Sequence, residues 1–178
     1  VRHFLGLGAA LAILGGALRI LSAFMPFTPN NAPLETLYGV IDLSFLFGLI
    51  ALYCNFADPV GRIGLFGFMV ALAGNAAIVG PDSATFGVDF YSMGATAMVA
   101  GLGVLSVQML RARVLIVASL AWISALGLGL ANAVLATPWL FQAAGLVLAF
   151  GFIATGIALL RSNAKKPSVA LTLPSHPR

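Results

Sequence analysis

The feature that most constrains this chain is a series of apolar stretches, each long enough to cross a bilayer, separated only by short polar gaps. A spanning helix needs about 20 predominantly apolar residues. Six stretches meet that need: Phe4–Met25, Leu34–Tyr53, Ile63–Val79, Phe90–Met109, Val114–Ala136 and Trp139–Leu160. The gaps at 26–31, 55–59, 80–83, 111–113 and 137–138 carry Pro, Asn or charge. Unpaired backbone is costly in hydrocarbon, so such gaps belong at the membrane surfaces. Composition closes off a soluble alternative. Hydrophobic residues make up 61% and charged residues 8% of the chain, against roughly 45–50% apolar and 25% charged in soluble domains. The expected fold is all-α, an integral membrane bundle of six transmembrane helices over residues 1–161. A flexible basic tail over 162–178 follows, rich in Pro and led by Lys165 and Lys166.

Charge placement orients the six spans. Alternate gaps assign Arg2, Arg62, Arg111, Arg113, Arg161, Lys165, Lys166 and Arg178 to one side, and no Lys or Arg to the other. The second side carries Asp82 and Asp89, with Glu35 at its edge. Basic loops stay in the cytoplasm, so both termini are expected inside, in a multi-pass protein of a bacterial inner membrane. Residues 2–23 have the outline of a secretory signal, but Arg19 interrupts its end and no small-x-small cleavage pattern follows. The segment is therefore read as a retained first helix. Tyr38, Tyr91 and Trp139 fall near the outer interface and Tyr53 near the inner one, where amphipathic rings prefer to sit.

Small residues recur at helical spacing and mark faces along which helices approach closely. They are Gly8, Ala12, Gly15 and Gly16 in the first span, and Gly64, Gly67, Ala71 and Gly74 in the third. The fourth offers Ser92, Thr96, Ala100, Gly103 and Ser106, and the fifth Ala118, Ala125 and Gly129. Phe45, Phe47, Phe66 and Leu120, on other faces, are expected to meet lipid. The odd spans also share an order: small residues, then a hydrogen-bonding side chain (Arg19, Asn75, Asn132), then Pro26, Pro81 or Pro138. This suggests three related helical hairpins.

Arg19 and Asp42 are the charges furthest from the ends of their spans. An intramembrane charge costs a few kcal/mol even on insertion scales, about 2.5–3.5 at a helix centre, so it normally faces the protein interior and finds a partner. Arg19 stands seven positions before Pro26 and Asp42 seven after Glu35, each roughly 10 Å from a span end at 1.5 Å per residue. An ion pair between neighbouring antiparallel helices is expected. Glu35, Tyr38 and Asp42 share one helix face. Asn75, Asp89, Ser92, Asn132 and Gln142 reach the same outer half. These nine residues form either a ligand pocket open to the outside or a polar lock between helices.

No catalytic constellation is legible. The only histidines, His3 and His176, stand near the chain ends, so neither a serine nor a cysteine nucleophile has a base beside it. A single cysteine, Cys54, excludes an internal disulfide. No span holds a lysine for a retinal linkage, and no phosphate-binding loop or zinc spacing appears. Trp122 is expected in the core with its N–H bonded to a neighbour. No cofactor, metal or nucleic acid is expected. The partners expected are membrane lipids and a protein partner, either in a larger membrane complex or as a homo-oligomer. The function expected is non-catalytic: holding a lipid or small amphiphile in the outer pocket, or serving as an accessory subunit. The alternatives are a small oligomeric transporter with Asp42 or Arg19 in the coupling role and, last in order, an intramembrane enzyme using Glu35 and Asp42 at the outer surface.

Overall fold

The computed structural model describes residues 2–26, 31–79, 87 and 89–165, and in these it is all-α, with five helices and no strands. They are α1 (Arg2–Ser22), α2 (Ala32–Ile78), α3 (Phe90–Arg111), α4 (Ile116–Leu135) and α5 (Pro138–Lys165). All five are long and apolar enough to cross a membrane. The expectation of six helices is corrected to five: the second and third expected spans lie within the single 47-residue helix α2. The gap at 55–59 holds no loop. It is a kink, with Phe56 at φ −124° and Gly61 at φ 62° and ψ −164°. Two local causes meet there. Pro59 lies inside the helix, has no N–H to donate and crowds the carbonyl of Asn55. Gly61 takes a conformation open essentially to glycine alone.

The kink reverses the chain. Asn75 Nδ2 donates to the Asp42 carbonyl at 2.9 Å, and the rings of Tyr53 and Phe68 stack at 4.3 Å. A straight helix would hold Asn75 and Asp42 roughly 50 Å apart. The arms 32–55 and 62–78 therefore lie side by side.

Ends are set by local chemistry. Ser22 Oγ donates to the Arg19 carbonyl, and three-residue bonds from Ala23, Phe24 and Met25 tighten the chain, so α1 stops short of the expected Met25. Asn31 caps α2 by accepting from Leu34 N–H at 3.3 Å, with a proline in the first turn. Asp89 caps α3 through Ser92 N–H at 3.0 Å. The link between α3 and α4 places Arg113 and Leu115 in left-handed backbone. Ala136 does the same before Pro138 opens α5. The sixth expected span ends at Leu160, but α5 continues to Lys165, and Ser162 Oγ accepts from Asn55 Nδ2 at 3.2 Å. The rest of the expected tail, 166–178, lies outside the described residues, as do Pro81, Asp82 and Ser83.

Packing follows the small residues, with two corrections. The α2 and α3 backbones meet at glycines: a Cβ on Gly74 would stand 2.3 Å from Met98 N, and one on Gly101 2.3 Å from Ala71 N. Gly8 and Gly48 seat α2 on α1, and Gly16 and Gly156 seat α5 on α1. α3 contacts α4 and α4 contacts α5, which closes a ring. First correction: of the expected α3 stripe only Gly103 and Ser106 are buried, while Ser92, Thr96 and Ala100 are exposed. Gly94, Met98 and Gly101 are buried instead, because they face the glycines of α2. Second correction: Phe45 is buried and stacks on Phe152 at 3.9 Å, with Trp122 tilted against the same ring. Phe47, Phe66 and Leu120 are exposed, as expected. Trp122 is fully buried, but its Nε1 has no hydrogen-bond partner and lies against Gly151.

Candidate functional site

The antiparallel arrangement gathers polar side chains at one end of the bundle, where α1 ends, both ends of α2 lie, and α3 and α5 begin. Arg19 occupies the last turn of α1. A cation there meets the negative end of the helix dipole, a contribution of about 0.3–1 kcal/mol at exposed sites. Its guanidinium carbon stands 5.8 Å from the centroid of the Tyr38 ring on α2, within the range of a cation–π contact. The guanidinium also interacts electrostatically with the Tyr91 hydroxyl in the first turn of α3. On its remaining side it lies beside Gly145 of α5, with Nη2 3.2 Å from the position a Cβ would take. One side chain thus touches three other helices.

Asp42 is half-buried on α2, and the expected ion pair is corrected to a longer-range attraction: no direct salt bridge joins its carboxylate to the Arg19 guanidinium. Asn75 ties in the second arm of α2. It is fully buried, donates to the Asp42 carbonyl, and leaves its Oδ1 without a hydrogen-bond partner. A buried unsatisfied carbonyl oxygen costs on the order of 1–3 kcal/mol.

Of the nine residues singled out in the sequence, Arg19, Tyr38, Asp42 and Asn75 come together. The other five are placed differently. Glu35 is exposed in the first turn of α2. Asp89 is exposed and spent on the α3 cap, where its carboxylate accepts from Ser92 N–H and Ser92 Oγ. Those bonds hold the Asp89 carboxyl below the usual carboxylate range. Ser92 is exposed with it. Asn132 is half-buried near the end of α4, and its carbonyl accepts from Ala136 N–H at 2.8 Å. Gln142 is exposed on α5.

Two members escaped the sequence reading, Tyr91 and Gly145. Tyr91 reads as an interfacial ring, and Gly145 carries no chemistry of its own. Counting from the breaks would have found the glycine: it stands seven residues after Pro138, as Arg19 stands seven before Pro26. Chemically the cluster offers one guanidinium, one carboxylate, two phenols and one carboxamide. Among the described residues no group of three or more His, Cys, Asp or Glu side chains could hold a metal ion. Known family models, characterised proteins and solved structures were compared with the chain, and none matches.

Proposed function

We propose that this chain is a non-catalytic multi-pass membrane protein, an accessory subunit of a membrane complex, in which the Arg19 cluster locks the helices together. Its five helices make six crossings, because each arm of α2 crosses once, and the basic side of the chain faces the cytoplasm of a bacterial cell. The observation that carries the lock is the reach of Arg19. Its guanidinium faces Tyr38, Tyr91 and Gly145 on three different helices, so one side chain links four helices. A half-buried cation set among three other helices acts as a clamp between them. The reading of six crossings rests on the lengths of the arms, the reversal at Gly61 and the charge asymmetry of the gaps.

One observation favours a second reading, a small transporter with Asp42 in the coupling role. The buried Asn75 Oδ1 has no partner and lies on the side chain that binds the Asp42 carbonyl. A coupled cation could use that acceptor.

The test is native mass spectrometry of the full chain extracted directly into lipid nanodiscs, alongside thermal unfolding of R19Q, D42N and the double variant. The lock predicts that each single change lowers stability by about 1–3 kcal/mol, and that the double variant loses less than the two losses added, since a half-buried charge left alone is worse than none. A stoichiometric partner chain retained by wild type supports the subunit reading. A small molecule retained by wild type and lost in D42N overturns it in favour of a ligand site.

A further inference from the structure

At the opposite end of the bundle the helices part. A groove of about 650 Å³ runs between the start of α4 and the second half of α5, within the roughly 300–1,000 Å³ range of sites that hold small ligands. Its walls are apolar, with Val117 on one side and Phe150, Ile153 and Ile157 on the other. Two cations, Arg113 and Arg161, close one end. Both are exposed. The left-handed backbone at Arg113 and Leu115 lets the chain turn within a few residues, so Arg113 is held beside α5.

We propose that this groove binds one anionic phospholipid of the cytoplasmic leaflet, with its phosphate between Arg113 and Arg161 and an acyl chain along Phe150, Ile153 and Ile157. The inference rests on the membrane reading of the bundle and is independent of the Arg19 lock. Three observations carry it. First, the groove changes character along its length, from guanidinium at one end to hydrocarbon beyond, as a phospholipid does. Second, Phe150 to Arg161 spans roughly 16 Å of helix, about half of the hydrocarbon thickness and so the depth of one leaflet. Third, the charge is complementary: the gaps at this end carry Arg62, Arg111, Arg113 and Arg161, and basic recesses between helices at the cytoplasmic side suit anionic headgroups. A zwitterionic phospholipid carries the same phosphate but brings its own cation beside it, so it would offer the two guanidinium groups a headgroup of no net charge.

The experiment uses the full chain in nanodiscs of equimolar phosphatidylcholine and phosphatidylglycerol, with native mass spectrometry counting the lipids retained. Wild type is expected to keep one phosphatidylglycerol. The double variant R113Q/R161Q should retain it at least about tenfold less, with thermal stability kept. A158F, which fills the groove and leaves every charge in place, should lose it as well, and R62Q should not. Equal retention of both lipids by wild type, or undiminished phosphatidylglycerol in A158F, overturns the site, the latter by reducing the effect to general charge attraction. A retained protein chain in place of lipid also overturns it. A chain that never enters the nanodisc overturns the membrane reading, and this inference with it.

Discussion

The seam between α2 and α3 and the seam between α4 and α5 are built from similar residues and behave differently. Both hold glycines and alanines among Val, Leu and Ile. In the first, Gly67 and Gly74 of α2 meet Gly101 and Gly94 of α3 in antiparallel order, a heptad apart on each helix, and the two backbones are in contact. In the second, Gly151 of α5 faces the Trp122 indole of α4 and a furrow remains at the start of α4, while Gly127 and Gly129 of α4 face open space away from any neighbour. Glycine content therefore says little by itself. What brings the two backbones of this seam into contact is glycine opposite glycine, because neither helix then holds the other away by a Cβ. Dispersion between close-packed backbones then supplies association that lipid-like apolarity cannot.

The sharpest way to break the comparison is to put the same bulky side chain at a glycine inside the closed seam and at one on α4 that faces open space. G101L should abolish or severely lower folded yield, costing about 3 kcal/mol or more, because the first added carbon already overlaps Ala71 N. G129L should stay within about 0.5 kcal/mol of wild type. Equilibrium unfolding in detergent decides it, and equal losses would erase the distinction between the packed and the open glycine. A smaller effect of opposite sign comes from G129A. With nothing to collide with, it should gain about 0.5–1 kcal/mol of helix propensity, read as a raised unfolding midpoint. The smallest effect concerns the end of the α2–α3 seam, where Asp89 caps α3. Its carboxyl is held below its ordinary value of 3.8, so the cap stabilises above that pH and is lost as pH falls through the lowered folded value. Hydrogen exchange in the first turn of α3 should accelerate below about pH 4 in wild type. In D89N it should show no such step.

Much of the fold was open to sequence reasoning, because Pro26, Asp58, Pro59, Arg113 and Pro138 punctuate the apolar stretches and mark where helical segments end or kink. The inward faces were harder. In a water-soluble helix the polar side identifies the outside, but lipid tails are as apolar as leucine, so Phe45 and Phe66 look alike in sequence while one is buried and the other is bare. The same ambiguity turned Ser92, Thr96 and Ala100 into an expected interior stripe. Their small size suits packing, yet the α2 glycines select the neighbouring face of α3. The candidate site was legible where charge made burial expensive, at Arg19 and Asp42, and where spacing put Tyr38 on the same face. It was not legible in Tyr91 or Gly145, whose roles depend on which helix stands next to α1. The break in α2 was visible as Pro59, but its tightness was not: the sequence suggests a loop, and Gly61 makes one unnecessary.

That tightness bears on how the chain can change length. A hairpin with no loop has no slack to absorb an inserted or deleted residue. One residue added between Asp42 and Phe56 would turn everything between it and one end of its arm by roughly 100°. Depending on which side yields, either Asp42 leaves Arg19 and Asn75, or Tyr53 leaves Phe68. The two halves of α2 are thus tied to a common reading frame, and length variation in this protein should be found anywhere but there.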